Sequence, residues 1–355
     1  MKNTIIMKID AENIDDKSIE KCAEILRAGG IVAFPTETVY GLGADALNPE
    51  AIKKIFAAKG RPPDNPLIIH ISKTKDILPL VKEIPDKAYG VMEKFWPGPL
   101  TIIFRKSNIV PHETSGGLST IAIRMPDHPI AIKLIEESGI PIAAPSANIS
   151  GKPSPTKAEH VMEDLMGRVD AIIVGGDCNI GVESTVLDIT GEVPVILRPG
   201  VISREMLEKV LGKVFVNSSA GDFNKTEEEF GGINTKYAHY SPDAEMIVVQ
   251  GDLDSIVAEI NELRMKYEEN GKKVGIICTD ETENRYKKGA EEITIKSLGS
   301  RKNPQTIAAD LFKILREFDK TDVEIILCES VDDMEIGQVI MDRLKKASGD
   351  HIIKV

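Results

Sequence analysis

The chain has 355 residues, 42% hydrophobic and 28% charged, with a net charge of −12; that length supports two ordinary cores, and the composition excludes a fibre or a disordered chain. No apolar run approaches the roughly 18 residues that span a bilayer, and the opening MKNTIIMKIDAENIDD turns acidic where a signal peptide needs an unbroken apolar segment, so the expectation is a cytoplasmic protein without membrane attachment. Residues 1–200 hold 22 basic and 26 acidic side chains and the remainder 22 and 30, a balance that argues against generic nucleic-acid affinity but leaves room for a basic concavity in the first part.

In chain order, apolar alternation predicts strands at Ile31–Phe34, Leu67–Ile71, Thr101–Phe104, Thr120–Met125, Ile140–Ala144, Ala171–Val174, Ser184–Asp188 and Val195–Arg198. Helical periodicity falls near 17–28, 49–58, 86–94, 129–137 and 157–166. Together they describe a mixed α/β domain over residues 1–215. Residues 216–244 are polar and acidic, punctuated by glycine and proline, and read as a linker. Over 245–355 the strands MIVVQ, KVGIIC, EITIKSL and EIILCES alternate with the helical stretches DSIVAEINELRMKYEEN, NPQTIAADLFKILREFD and EIGQVIMDRLKKA. That alternation predicts a smaller, Rossmann-like domain with a parallel sheet and crossover helices. Cys22, Cys178, Cys278 and Cys328 are far apart and form no C-x-x-C pair, so they read as buried small hydrophobes.

The polar groups concentrate in loops. In the helix at 49–58, Asn48 is the N-cap, Pro49 the first position, and Ile52, Ile55 and Phe56 share a face, so Lys59 and Gly60 fall at its end. Lys59 there either complements the helix dipole or joins Arg61 in holding phosphate. Arg61 and Asn65 lie in a Pro-Pro loop that keeps them presented. No G-x-x-x-x-G-K-S/T loop occurs, so a nucleotide would be held by side chains. Gly41, Gly43 and Ala46 match G-x-G-x-x-A, but Pro35 to Tyr40 separate them from the preceding strand, and the glycines are better read as sites of close backbone approach or a turn.

Alternation puts His70 with Ile68, opposite Leu67, Ile69 and Ile71, where a lone histidine is more often structural than catalytic. It also puts Thr120, Ala122 and Arg124 on one face and Ile121, Ile123 and Met125 on the other. Such a polar face suits solvent, but an arginine among small residues also leaves room for a carboxylate to pair with it. Strand-end polar residues recur at Ser146, Asn148, Ser150, Ser154 and Thr156, at Glu183, Ser184 and Thr185, and at Arg198, which suggests one convergent site. Ser146 sits in P-S-A-N, not in a nucleophile elbow, and no H-E-x-x-H spacing for a metal is present.

The segments PTETVYGLGADA, KGRPPDNPLIIHI, STIAIRMPDHP, APSANISGKPSPT, GVESTVLDI and ILRPG, in that order, closely resemble the threonylcarbamoyl-AMP synthase family, whose core is a YrdC-like domain. The stretches LREFD and EIGQVIMDRLKKA resemble the long two-domain members, so the likeness covers nearly the whole chain. The resemblance implies a nucleotidyltransferase that turns L-threonine, bicarbonate or CO2, and ATP with Mg2+ into threonylcarbamoyl-AMP and pyrophosphate. A partner tRNA threonylcarbamoyl transferase would then act on the adenosine beside the anticodon. Carried over by motif, Thr38, His70, Arg124, Ala144 through its backbone, and Ser184 would hold threonine. Lys59, Arg61, Asn65, Thr120, Ser146, Ser154, Arg198 and Tyr237 would hold ATP, with Lys59 and Arg61 catalytic and no protein metal ligands. Long members read PGMKYxHYxP in the linker; Lys236, Tyr237, His239 and Tyr240 match, whereas Ile233, Asn234 and Thr235 replace Pro-Gly-Met. Two rivals remain: an RNA-binding, translation-associated module using the same basic cavity, which would need stacking aromatics not clustered here, and a carbamoyl-adenylate-forming activity as in hydrogenase maturation proteins, whose zinc-finger cysteines are missing.

Overall fold

The computed structural model describes residues 2–217, 240–286, 293–332 and 336–355. The chain forms two compact units, one of residues 1–150, 154–179 and 183–236, the other of 151–153, 180–182 and 237–355. The fold is mixed α/β, as its pattern of strands and helices predicts.

Strands of the first unit are β1 Ile5–Lys8, β2 Val32–Phe34, β3 Gly41–Asp45, β4 Ile68–His70, β5 Leu100–Arg105, β6 Thr120–Arg124, β7 Ile142–Ala143, β8 Ala171–Val174, β9 Thr185–Asp188, β10 Val195–Arg198 and β11 Phe215–Val216. They make one mixed sheet ordered β1-β8-β2-β3-β7-β4-β6-β5-β9-β10-β11. Its helices are amphipathic for legible reasons. Asp15 caps helix Asp16–Arg27 by accepting from the N–H groups of Lys17 and Ser18, and Ile19, Cys22, Ala23 and Leu26 line its buried face. Asn48 caps Pro49–Lys59 in the same way, and Gly60 ends it in the left-handed conformation at φ 64°.

The sheet buries both faces because strand residues alternate between two cores. Ile31, Ala33, Ile69, Ile123 and Ala143 face one core, which takes in helices Pro49–Lys59 and Asp86–Phe95. Val32, Phe34, Ile142 and Ala144 face the other, beneath helices Asp16–Arg27 and Pro129–Ser138. Ile103, Ala122 and Val186, with Ile68 and Leu197 against them, extend the second face over β4, β6, β5 and β9.

Several strands escape the sequence pattern. β1 is a four-residue edge, and β3, reading GLGAD, was expected as a turn or close approach. The close approach is real: a Cβ on Gly43 would lie 2.7 Å from Ile142 Cγ2 and 2.8 Å from Phe34 Cε1. Glycine is thus what lets β3 enter a sheet covered on both sides. Helix Arg204–Leu211 and β11 also went unanticipated.

In the second unit, β12 Glu245–Gln250, β13 Val274–Cys278, β14 Thr294–Ser297, β15 Ile325–Glu329 and β16 Ile352–Lys354 form a sheet ordered β14-β13-β15-β12-β16. Every pairing is parallel, with helices Leu253–Glu269, Pro304–Phe318 and Ile336–Ala347 between strands. β15 inserts between β13 and β12, so the strand order is not that of the dinucleotide-binding sheet. Tyr240 stacks on Phe312 at 5.0 Å between ring centroids. None of the four cysteines forms a disulfide, and all four are buried.

Candidate active site

Strand register assembles the first half of the site. His70 pairs with Arg124 across β4 and β6, and Thr101 pairs with Arg124 across β5 and β6. A polar row therefore crosses three neighbouring strands at one level, on the face shared with Ala122 and Ile68. The row is not solvated: His70 and Arg124 are each 4% exposed and Thr101 is fully buried. Of the two uses open to a polar strand face, exposure to water is thereby excluded.

Around Arg124 the donors and acceptors are specific. Its Nη1 donates to Thr38 Oγ1 at 2.9 Å, its Nε to Gly98 O at 3.3 Å, and its Nη2 lies 2.6 Å from Glu37 Oε1. Thr36 holds that loop in shape: its Oγ1 donates to Val39 O and accepts from the N–H groups of Thr38 and Val39. Tyr40 anchors the same loop, donating to Gly176 O and accepting from Gly175 N. Ser184 continues the row, with Oγ 2.7 Å from Thr101 Oγ1 and 3.1 Å from the donating Nη2 of Arg198. Arg198 also donates twice to Ser184 O.

His70 places Nδ1 3.2 Å from Ile68 O, and a carbonyl only accepts, so Nδ1 carries the ring proton. Burial first, then the charge of Arg124, pushes its pKa down to about 3. The imidazole is neutral at physiological pH, with the backbone of Ile68 and of Ile142 beside it.

The second half lies at the opposite ends of the same strands. β7 runs antiparallel to β4, so the chain after Ala143 heads toward the start of β4, and Ala144 N donates to Ile68 O. Ser146 bridges Gly41 of β3, and its Oγ donates to Asn148 Oδ1 at 2.5 Å. Lys59, 2% exposed, donates to Ser146 O at 2.5 Å, Asn148 O at 2.6 Å and Asn148 Oδ1 at 3.3 Å. The lysine at the helix end thus braces the 146–148 loop with its charge, a use beyond the dipole. Arg61 donates to Pro66 O at 3.1 Å and Asn65 O at 3.4 Å. Asn65 is 3% exposed and its Oδ1 has no hydrogen-bond partner among the described residues. The turn before β4 runs beside residues 114–116, where Leu67 N donates to Thr114 O. Ser154 donates to Glu183 Oε1 at 2.6 Å.

Of the residues singled out by sequence, the structure sets Thr38, His70, Arg124, Ser184 and Arg198 along one polar row, ties Lys59 to the Ser146 loop, holds Arg61 to the Asn65 turn and bonds Ala144 to Ile68, with Thr120 at the start of β6. Ser154 neighbours Ser184 through Glu183 in the chain. Tyr237, and with it Ile233 to Thr235, lies outside the described residues. Glu37, Thr36 and Thr101 were missed. Glu37 had a signal in the T-E-T tripeptide, a carboxylate between hydroxyls at a strand end; Thr101 had none, because only pairing with β6 brings it to Arg124. Among the described residues no cluster of histidine, cysteine, aspartate or glutamate could hold a metal ion, and no helix is long and apolar enough to cross a membrane.

Comparison with known proteins places this geometry in context. Residues 24–200 match the Sua5/YciO/YrdC family model, described as "Telomere recombination", and residues 202–349 match the model described as "Threonylcarbamoyl-AMP synthase, C-terminal domain". A threonylcarbamoyl-AMP synthase of Pyrococcus abyssi is 49% identical over 352 residues, spanning 99% of this chain and all of the relative. One of Bacillus subtilis is 46% identical, with 97% of each chain covered. The crystal structure of P. abyssi Sua5 complexed with L-threonine superposes with a TM-score of 0.91 at 48% identity, covering 99% of this chain and 100% of that one.

Proposed function

The chain belongs to the threonylcarbamoyl-AMP synthase family, enzymes of nucleotidyl transfer built on the Sua5/YciO/YrdC domain, and from that premise we propose that it condenses L-threonine, bicarbonate or CO2, and MgATP into threonylcarbamoyl-AMP and pyrophosphate. One observation carries the reading: the buried guanidinium of Arg124 ends a strand face that carries the small residue Ala122 and begins at Thr120. Thr120 and Arg124 sit four residues apart on one strand face, about 13 Å at strand rise, with Ala122 between them and Ala144 beside them. That spacing suits an amino acid at one end and a phosphoryl group toward the other.

In this reading Arg124 takes the threonine carboxylate, with Thr38, Ser184, His70 and the Ala144 carbonyl completing the amino-acid end. The ammonium gives up a proton to solvent, the free amine adds to CO2 and a second proton leaves to solvent as the carbamate forms; that is a short-lived nucleophile, so holding it in line matters more than activating it. Its oxygen attacks the α-phosphorus, the bond to the bridging oxygen breaks, and pyrophosphate leaves with the electron pair. Asn65, Thr120, Ser146, Ser154, Arg198 and Tyr237 hold the nucleotide. Lys59 places its charge beneath the 146–148 loop, and Arg61 swings from its carbonyl partners to the phosphates as charge builds there. Mg2+ enters on the ATP phosphates, as part of the substrate. The product is a mixed anhydride, suited to acyl transfer onto an amine, which agrees with use by a partner tRNA threonylcarbamoyl transferase at the adenosine beside the anticodon.

The test is pyrophosphate release from MgATP, with L-threonine and bicarbonate omitted one at a time. Release is expected only when both are present; release with neither overturns the reading.

A further inference from the structure

We propose that Glu37 is a further substrate-binding residue, the carboxylate that holds the amino group of the amino-acid substrate and so fixes the zwitterion against Arg124. The inference rests on the functional reading above and adds to it the group that reads the nitrogen.

Three observations support it. First, Glu37 is a buried charge, 7% exposed, 2.6 Å from Arg124 Nη2. Second, that contact lacks hydrogen-bond geometry. Neither oxygen of Glu37 has a hydrogen-bond partner among the described residues, nor does Nη2 of Arg124. Buried polar groups are almost always satisfied, and those left open mark a place where a missing partner belongs. Third, the two groups form an ion pair at 2.6 Å whose N–H groups and oxygens leave hydrogen-bonding capacity unused. A group that donates to Glu37 and accepts from Arg124 Nη2 satisfies both, and the ammonium and carboxylate on one α-carbon do that together. The other guanidinium nitrogens donate elsewhere, Nη1 to Thr38 and Nε to Gly98, so Nη2, paired with Glu37 but without an aligned hydrogen bond, is the nitrogen left to donate to a ligand carboxylate.

The other carboxylate of this region, Glu183, accepts from Ser154 instead. After CO2 capture the carbamate nitrogen keeps one N–H, so the same hydrogen bond persists while the new carboxylate oxygen, repelled by Glu37, turns toward the phosphate end. Glu37 thereby distinguishes an amino acid from the hydroxy acid of the same skeleton.

The experiment is calorimetric binding of L-threonine and of (R)-3-hydroxybutyrate, which lacks only the amino group, to the wild-type protein and to Glu37→Gln. The wild type is expected to prefer threonine by about tenfold or more, the scale of a charge-assisted hydrogen bond. In Glu37→Gln the preference should shrink to within about threefold through loss of threonine affinity, since the amide keeps the shape but not the charge. A merely structural role would weaken both ligands in proportion, and that outcome, or an unchanged preference, overturns the inference. Circular dichroism and thermal melting report whether the variant folds; if it does not, Glu37→Asp, which draws the charge back by one methylene, must show the reduced preference instead. A wild-type protein that binds neither ligand sinks the functional reading itself, a result distinct from a variant that keeps its discrimination.

Discussion

Arg61 and Lys59 stand two residues apart and do different work. Lys59 is buried on three oxygens of the 146–148 loop, so replacing it disturbs the loop as well as the charge. Arg61 donates to the carbonyls of Asn65 and Pro66 in its own turn, and its loss should fall mainly on catalysis. Arg61→Ala is expected to lower turnover by about tenfold or more while threonine affinity moves less than about threefold; pyrophosphate release at saturating substrates, set beside threonine binding, separates the two. His70 makes a pH prediction. Its folded pKa, about 3, lies below the unfolded value of 6.5 because of burial and Arg124. Between those values the unfolded chain binds a proton that the folded one refuses, so stability falls as pH falls from 6.5 toward 3, by at most about 1.4 kcal/mol per pH unit from this group. Urea unfolding across that range should show the slope, and His70→Gln should flatten it. The chemistry of such residues was legible in the sequence as types: an arginine among small residues, a helix-end lysine, hydroxyls at strand ends. Their partners were not, because Thr38 and Arg124 lie 86 positions apart and Lys59 and Asn148 lie 89.

Helices were the most legible elements, since caps and the 3.6-residue period are local signals. Asn48, Pro49 and Gly60 bound one helix as their chemistry requires. Asn48→Ala should cost about 1 kcal/mol by removing the acceptor for the N–H groups of Glu50 and Ala51, measured by chemical denaturation. β3 shows the opposite case. Its GLGAD has no run of large apolar side chains to announce a strand, and its glycines are explained only by what covers them. Gly43→Ala should cost about 1–3 kcal/mol through overpacking against Ile142 and Phe34. A variant as stable as the wild type would show that these neighbours yield freely. The strand expected at Ile140–Ala144 shortens to Ile142–Ala143 because Pro141 and Pro145 flank it and neither can donate to a ladder.

At the scale of the whole chain, each unit has a core of its own. The second unit buries a charge centre, Glu329, which accepts from Tyr286 and Thr279 and pairs with Arg301 at 3.0 Å; its polar groups satisfy one another. The first unit carries the single tryptophan, Trp96, buried with its Nε1 donating to Leu100 O. Trp96 fluorescence therefore reports unfolding of the unit that holds the candidate site. Threonine at 100 times its Kd should raise the unfolding free energy seen by this probe by about 2.7 kcal/mol, as mass action requires of a ligand that binds only the folded state. A transition indifferent to threonine would contradict a site on β4 and β6.

What the sequence determined by itself was local or patterned. Strand alternation separated Leu67, Ile69 and Ile71 from Ile68 and His70, helical periods named the buried faces, and the order of motifs led to the family that the comparisons show. Those signals need only neighbours in the chain. The tertiary structure alone decided that β4 and β5 both lie against β6, which sets His70, Arg124 and Thr101 in a row, and that the loop after β2 brings Glu37 onto Arg124. The reason is that burial of apolar faces chooses which strands adjoin, and a polar side chain receives its partner from that choice. Its own sequence neighbourhood states what it can bind, and the fold states with what.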